Sequence, residues 1–260
     1  SPSKIYLDKE NSLMQTKILT QIMQNILGNQ RLPMLIVDQN PALLNKKTFN
    51  ARIAAIYGFS IFGKNLTYLL NKNNKIDYSV LNNFLKKNGN DKFLIFGFTS
   101  FIYENLIKKL YKKYCKYSFV NGILLHGGGW KKMESIKINN NKFKSLLNKK
   151  LKISEVYNYY GLVEQTGSIF LECKFCSCFV TSNFSEIIVR DANFNVLKDG
   201  KKGFLQLFSL LPRSYPGHSI ITEDIGEIVK DNSCKCSYKG TRFIVHGRTK
   251  NSEIRGCSDI

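Results

Sequence analysis

No run of apolar residues in this sequence approaches the roughly 18 needed to cross a bilayer. The longest runs, such as Phe93 to Phe98, have strand length, so no helical membrane span is expected. Acidic residues are scarce, 19 against 39 Lys and Arg, and the formal charge is +20. Such an excess ordinarily points to nucleic acid or an acidic membrane surface. Here the excess is mostly lysine rather than arginine, scattered with asparagine through stretches such as residues 71–77 (NKNNKID) and 137–150 (KINNNKFKSLLNKK). We read it as compositional drift toward Lys, Asn and Ile, with no nucleic acid as partner. Internal repeats are lacking too. The chain opens on Ser1 rather than Met, so the sequence is silent on a targeting segment.

What is present supports a large core. A chain of 260 residues with 43% hydrophobic and 12% aromatic content predicts one large domain or two coupled ones. Met14, Ile18, Ile22 and Ile26 recur every four residues, with Asp8 placed to cap the helix start and Gly28 to stop its end. Residues 33–38 (PMLIVD) read as a buried strand, Val80 to Leu85 as a short helix ended by Gly89, and residues 93–98 (FLIFGF) as a strand. A helical pattern follows from Ser100 through Leu106 and Leu110. The unit repeats with a strand at 122–125 (GILL), a helix ending near Leu151 and a strand at 156–160 (VYNYY). Strand followed by helix is the α/β signature. From about residue 168 the texture changes to strands between turns, at 185–191, 203–211, 227–229 and 242–247. The expected class is α/β, a parallel or mixed sheet with flanking helices, plus a smaller β-rich subdomain. The expected division is an α/β nucleotide- and acyl-binding region over 1–167, the β-rich subdomain over 168–247, and a hinge and tail over 248–260.

Four patterns carry chemistry. His126, Gly127, Gly128 and Gly129 follow a strand's carboxyl end, the edge where open α/β sheets bind ligands. Glycines there admit a close-lying ligand, and equally serve a tight turn. Residues 159–166, from Tyr159 and Tyr160 through Gly161 to Glu164, Gln165 and Thr166, put a carboxylate and a hydroxyl just past a strand, as a Mg²⁺ and phosphate site requires. Asp224, read as lying next to a turn, suits ribose hydroxyls; Arg248 suits phosphate.

The order and spacing of these patterns resemble the adenylate-forming superfamily of acyl-CoA synthetases. Residues 160–164 (YGLVE) resemble its Y-G-x-T-E loop, 222–224 (TED) its T-G-D, and 247–256 (GRTKNSEIRG) its hinge. More narrowly, the stretches at 32–38, 58–65, 96–101, 124–131, 160–173, 209–224 and 253–259 together resemble LuxE-type acyl-protein synthetases, relatives of the phenylacetate–CoA ligases. The resemblance spans the whole sequence. It implies ATP-dependent activation of a long-chain fatty acid as acyl-adenylate and transfer to a protein cysteine; the alternative is an acyl- or aryl-CoA ligase. ATP and Mg²⁺ are the implied cofactors, an acyl-CoA reductase-type or other acyl-acceptor protein the implied partner. Lys4 matches the trailing lysine of a phosphate loop whose body is missing, which marks the chain as an N-terminally truncated fragment. His126 to Gly129 match the adenine-flanking turn, Tyr160 the ring stacked on adenine, Glu164 the Mg²⁺ ligand, Asp224 the ribose aspartate and Arg248 the arginine after it. Gly161 belongs to the same loop. Val163 stands where a phosphate-binding threonine is usual, with Thr166 or Gln165 as substitutes, and Lys250 stands where the hinge has aspartate. Cys257 matches the acyl acceptor; a buried structural cysteine is the other reading. Phe59, Phe62 and Phe98 are candidates for the acyl pocket, and His218 shapes a turn or takes part in catalysis.

Seven cysteines with no visible secretion signal point to a reducing, cytoplasmic setting. Cys173, Cys176 and Cys178, with Cys234 and Cys236, offer five thiols where a structural zinc needs four. Zinc and unligated thiols both remain open. Val180 occupies a position where relatives carry histidine, and Cys115 reads as an ordinary helix residue.

Overall fold

The computed structural model describes residues 5–43, 51–110, 119–130, 138–230, 234–236 and 238–249. They form two compact units, one of residues 29–158 and one joining 5–28 with 159–249.

Helix α1 (Lys9–Leu27) opens the second of these. Asp8 caps it, accepting a 2.7 Å hydrogen bond from the Asn11 amide, and Gly28 ends it at φ 70°. Its buried stripe is Asn11, Gln15, Ile18, Leu19, Met23 and Leu27, so its N-terminal half buries amides where a plain amphipathic helix would bury methyls.

Residues 29–158 hold β1 (Leu32–Gln39), α2 (Ala51–Ser60), β2 (Gly63–Leu70), α3 (Tyr78–Asn88) and β3 (Phe93–Phe98). Helix α4 (Thr99–Ile102) continues as a π-helical segment, Tyr103–Leu110, before β4 (Gly122–Gly127), α5 (Asn140–Leu151) and β5 (Glu155–Tyr160). The strand order is β2-β1-β3-β4-β5, with β2 on β1, β1 on β3 and β3 on β4 all parallel. This is the doubly wound order, whose ligand crevice lies off the carboxyl ends of the strands. Six buried residues in a row make β3 a two-faced core strand. Its Phe93 and Ile95 join Leu35, Val37, Leu69, Leu124 and Phe143 in one apolar cluster, each such burial stabilising by roughly 1.5–3 kcal/mol. On α3, Asp77 caps two amides and Gly89 ends the helix at φ −65°, an ordinary helical value.

In the second unit the last residues of β5 pair antiparallel with β6 (Phe170–Glu172), through Tyr159 with Leu171 and Tyr160 with Phe170. The sheet continues through β7 (Phe179–Val180), β8 (Ser185–Arg190), β9 (Gly203–Ser209), β10 (Ser219–Ile228) and β11 (Arg242–Arg248) in the order β6-β7-β11-β10-β9-β8. All these pairs are antiparallel. Phe170, Phe179, Ile187, Val189, Leu205, Leu207 and Phe243 form its core. No helix among the described residues is long and apolar enough to cross a membrane.

Candidate active site

The β10 strand breaks its own ladder at the residues that matter. Ile221 pairs with Gln206 and Ile225 with Phe204, so Thr222, Glu223 and Asp224 together stand opposite the single residue Leu205. Such a bulge bends a strand and redirects its side chains. Thr222 holds it shut: its hydroxyl donates to the Leu205 carbonyl at 2.9 Å and accepts from the Asp224 amide at 3.1 Å. The sequence places Asp224 beside a turn; it lies instead within a strand, Ser219–Ile228, at a bulge that the short strand expected at 227–229 does not announce.

Asp224 gathers two partners. The Tyr160 hydroxyl donates to its Oδ2 at 2.7 Å, and the Arg248 Nε lies 3.7 Å from its Oδ1. Arg248 and Asp224 face each other across β10 and β11. Burial, and after it the Asp224 charge, raises the Tyr160 phenol far above its ordinary range, so it stays a donor. Its ring packs on Phe170, Phe179 and Phe243 with centroids 5.9–6.1 Å apart.

Glu164 is set by a different device. It lies in a 3-10 turn, Val163–Gln165, just past β5. Gln165 is buried, and its Nε2 donates to the Leu207 and Gly217 carbonyls at 3.2 and 2.8 Å. It is a strut inside the unit, so of the two substitutes for the missing phosphate-binding threonine only Thr166 faces outward, its hydroxyl donating to the Val163 carbonyl at 2.8 Å. Gly217 touches the same turn: a Cβ there would sit 2.4 Å from the Glu164 carbonyl oxygen. The preceding Tyr215 receives a 3.1 Å hydrogen bond from Gln15 of α1, and Asn11 accepts one of 2.7 Å from the Arg213 amide. The buried amides of α1 therefore hold the 211–217 loop.

These pieces line an open cleft of about 480 Å³, bordered among others by Glu164, Tyr215, Gly217, Thr222, Asp224 and Arg248. That volume is within the range of small-molecule sites. Gly161 and Thr166 are exposed and do not line it; Tyr160 reaches it through Asp224. Tyr215 and Gly217 went unassigned in the sequence, although an aromatic between prolines and a glycine was a visible turn signal. His218 is exposed and its carbonyl accepts from the Ser209 amide, a strand-starting contact.

In the 29–158 unit, His126 and Gly127 end β4 and Gly128 follows at φ 73°. A Cβ on Gly128 would meet the Phe98 ring at 2.7 Å, whereas one on Gly129 would meet nothing within 4 Å. His126 is buried against Phe143, and burial lowers its pKa to about 3, with Lys144 adding to the effect. The Thr99 hydroxyl lies 2.9 Å from its Nδ1 and 3.1 Å from the Gly127 carbonyl. The hydroxyl has one proton for these two contacts, so the direction of the bond to Nδ1 follows the imidazole tautomer. Phe59, Phe62 and Phe98 are buried in a ring cluster with Phe96, the Phe59 and Phe96 centroids 4.8 Å apart. Trp130 packs edge-on to Tyr103 and Phe143. Lys4, Cys115, Lys250 and Cys257 lie outside the described residues.

The thiols also converge. The sulfurs of Cys173, Cys234 and Cys236 lie within 4.8 Å of one another, Cys173 and Cys234 at 3.7 Å. Cys176 stands within hydrogen-bonding reach of Cys173 and Cys234, and the Cys178 thiol reaches Cys176 through both its sulfur and its carbonyl, the latter at 3.6 Å.

The fold is similar to that of several solved ligases and synthetases. Over 92% of this chain and 54% of the other, it is similar to 2-hydroxyisobutyryl-CoA ligase in an open conformation with 2-HIB-AMP and CoA, at TM-score 0.65 and 12% identity. ATP-bound MatB from Rhodopseudomonas palustris gives 0.57 at 12% identity over 93% and 44%, and the amide bond synthetase McbA from Marinactinospora thermotolerans 0.58 at 11% over 90% and 44%. The chain thus spans about half the length of these structures. The sequence profile of the family described as acyl-protein synthetase, LuxE, matches residues 1–260, and the chain belongs to that family. Comparison with curated proteins gives no match.

Proposed function

We propose that the protein activates a fatty acid with ATP and passes the acyl group to a cysteine. The observation that carries this reading is a cavity lined together by Glu164, Asp224 and Arg248, with Tyr160 bonded to Asp224. Membership of the acyl-protein synthetase family supports the protein acceptor, and similarity to ligases bound to ATP or an acyl-AMP supports the nucleotide.

Asp224 keeps free lone pairs beside its two partners and offers them to ribose hydroxyls. Arg248, about half exposed, presents a guanidinium at the cavity wall for phosphate. Glu164, an oxygen ligand at the same wall, fits Mg²⁺, which when bound neutralises phosphate charge. A fatty acid carboxylate oxygen attacks the α-phosphorus; the bond to the bridging oxygen breaks and pyrophosphate leaves, giving acyl-adenylate. The thiolate of Cys257 then attacks the acyl carbon and AMP leaves, forming a thioester from which an acyl-acceptor protein is loaded. His126 to Gly129 contribute the adenine-flanking turn and Lys4 a phosphate contact. Phe59, Phe62 and Phe98 lie nearest the acyl chain, and the reaction belongs to the cytoplasm.

The test uses the full-length protein with ATP, Mg²⁺ and radiolabelled long-chain fatty acid, without CoA. Label should appear on the protein and vanish in Cys257→Ala, while fatty-acid-dependent ATP–pyrophosphate exchange survives that substitution and is lost in Glu164→Ala. Product formed only when CoA is added would favour the acyl-CoA ligase instead.

A further inference from the structure

We infer that Cys173, Cys176, Cys234 and Cys236 form a tetrathiolate zinc site that excludes Cys178 and ties the β6–β7 turn to the approach of β11. Four observations meet here. The sulfurs of Cys173 and Cys234 are 3.7 Å apart, far beyond a disulfide bond, while Zn–S bonds of about 2.3 Å in a tetrahedron place neighbouring sulfurs roughly 3.8 Å apart. The Cys173 sulfur accepts from the Phe175 and Cys176 amides, and the Cys234 sulfur from the Cys236 amide. Amides aimed at sulfur stabilise the thiolate that a metal requires. Ser177, right after the second thiol, adopts φ 58° and its amide donates to the Cys173 carbonyl at 2.9 Å, which curls the turn around its own sulfurs. Finally, Arg242 approaches the Cys236 sulfur at 3.2 Å and donates to the Tyr238 carbonyl at 2.9 Å.

Charge balance explains the arginine. Binding Zn²⁺ to four thiols releases four protons and leaves a centre of net charge −2, so a neighbouring guanidinium offsets part of it. Cys178 is buried, and its thiol turns to Cys176, carbonyl and sulfur, and lies outside the group that Cys173, Cys234 and Cys236 form. The mechanical consequence follows from pairing: β7 and β11 share the Arg242–Val180 and Phe243–Phe179 pairs, extended by hydrogen bonds between Thr181 and Thr241. The metal would fasten that short seam, and β11 runs directly to Arg248.

Metal is counted on the full chain, purified under reducing conditions, without ATP or acyl substrate, so the result is independent of the proposed reaction. Wild type should hold one zinc per chain by mass spectrometry and, refilled with Co²⁺, show the sulfur-to-cobalt charge-transfer and strong visible bands of a tetrahedral thiolate site. Cys178→Ser should keep the metal; Cys173→Ser with Cys234→Ser should lose it. If those variants do not fold, mercurial titration of wild type in the presence of a chromogenic chelator reads the same site, with one zinc expected to be released. Protein that carries no zinc and takes none up, retention in the double variant, or loss in a folded Cys178→Ser would each overturn the assignment.

Discussion

His126 should make the 29–158 unit sensitive to mild acid. Its folded pKa is about 3 because the ring is buried, whereas an unfolded imidazole titrates near 6.5. The folded value is depressed, so the contribution to stability is complete above roughly pH 6.5 and is lost as pH falls toward 3. At pH 5 the unfolded chain gains a proton that the folded chain refuses. With each pKa unit worth about 1.4 kcal/mol, the drop from pH 7 to pH 5 removes about 2 kcal/mol, with carboxylates contributing separately. The comparison is therefore between wild type and His126→Asn, which still offers a polar group toward Thr99 but has nothing to titrate. Urea unfolding at both pH values should show wild type losing about 2 kcal/mol more than the variant. Equal losses, or a His126 ring resonance that titrates near its ordinary value in the folded protein, would refute the burial argument.

Two further substitutions probe the cavity. Gly217→Ala puts a methyl 2.4 Å from the Glu164 carbonyl oxygen, a backbone atom that cannot swing aside, so stability should fall by roughly 1–3 kcal/mol. ATP–pyrophosphate exchange should drop with it; thermal melting and exchange rates unchanged from wild type would contradict the contact. Tyr160→Phe deletes the 2.7 Å bond to the Asp224 carboxylate. Hydrogen bonds to charged groups are worth about 1.5–3 kcal/mol, which predicts a rise in KM for ATP of roughly ten- to a hundredfold with a smaller change in kcat. An unchanged KM would detach Tyr160 from nucleotide binding.

The features that were legible in the sequence are those whose physics is local. Asp8 and Gly28 bracket α1, and continuous apolar runs announce β3 and β4, because a strand covered on both faces needs no polar alternation. β2 was missed: among the named strands it pairs with β1, and much of residues 63–70 stays partly exposed, so no period-2 signal survives. β7 has two residues, too short for any pattern. In the candidate site, Glu164, Asp224 and Arg248 carried recognisable neighbours in sequence, so the residue types were legible and their geometry was not. The Tyr160–Asp224 bond spans 64 positions, and the bulge that aims Asp224 depends on Leu205 in another strand. Gln165 shows the same limit: nothing in its immediate neighbours reveals that Leu207 and Gly217 turn it inward.

Helix α1 has a consequence for biosynthesis. Its Gln15 finds Tyr215 at a separation of 200 residues. At roughly 5–20 residues per second, a ribosome takes about 10–40 s to deliver that partner after the helix itself has emerged. Throughout that wait the buried amides of Asn11 and Gln15 are without the Arg213 and Tyr215 groups that later pair with them. A nascent chain paused before residue 211 is thus a species in which the polar end of this helix still lacks its native hydrogen bonds.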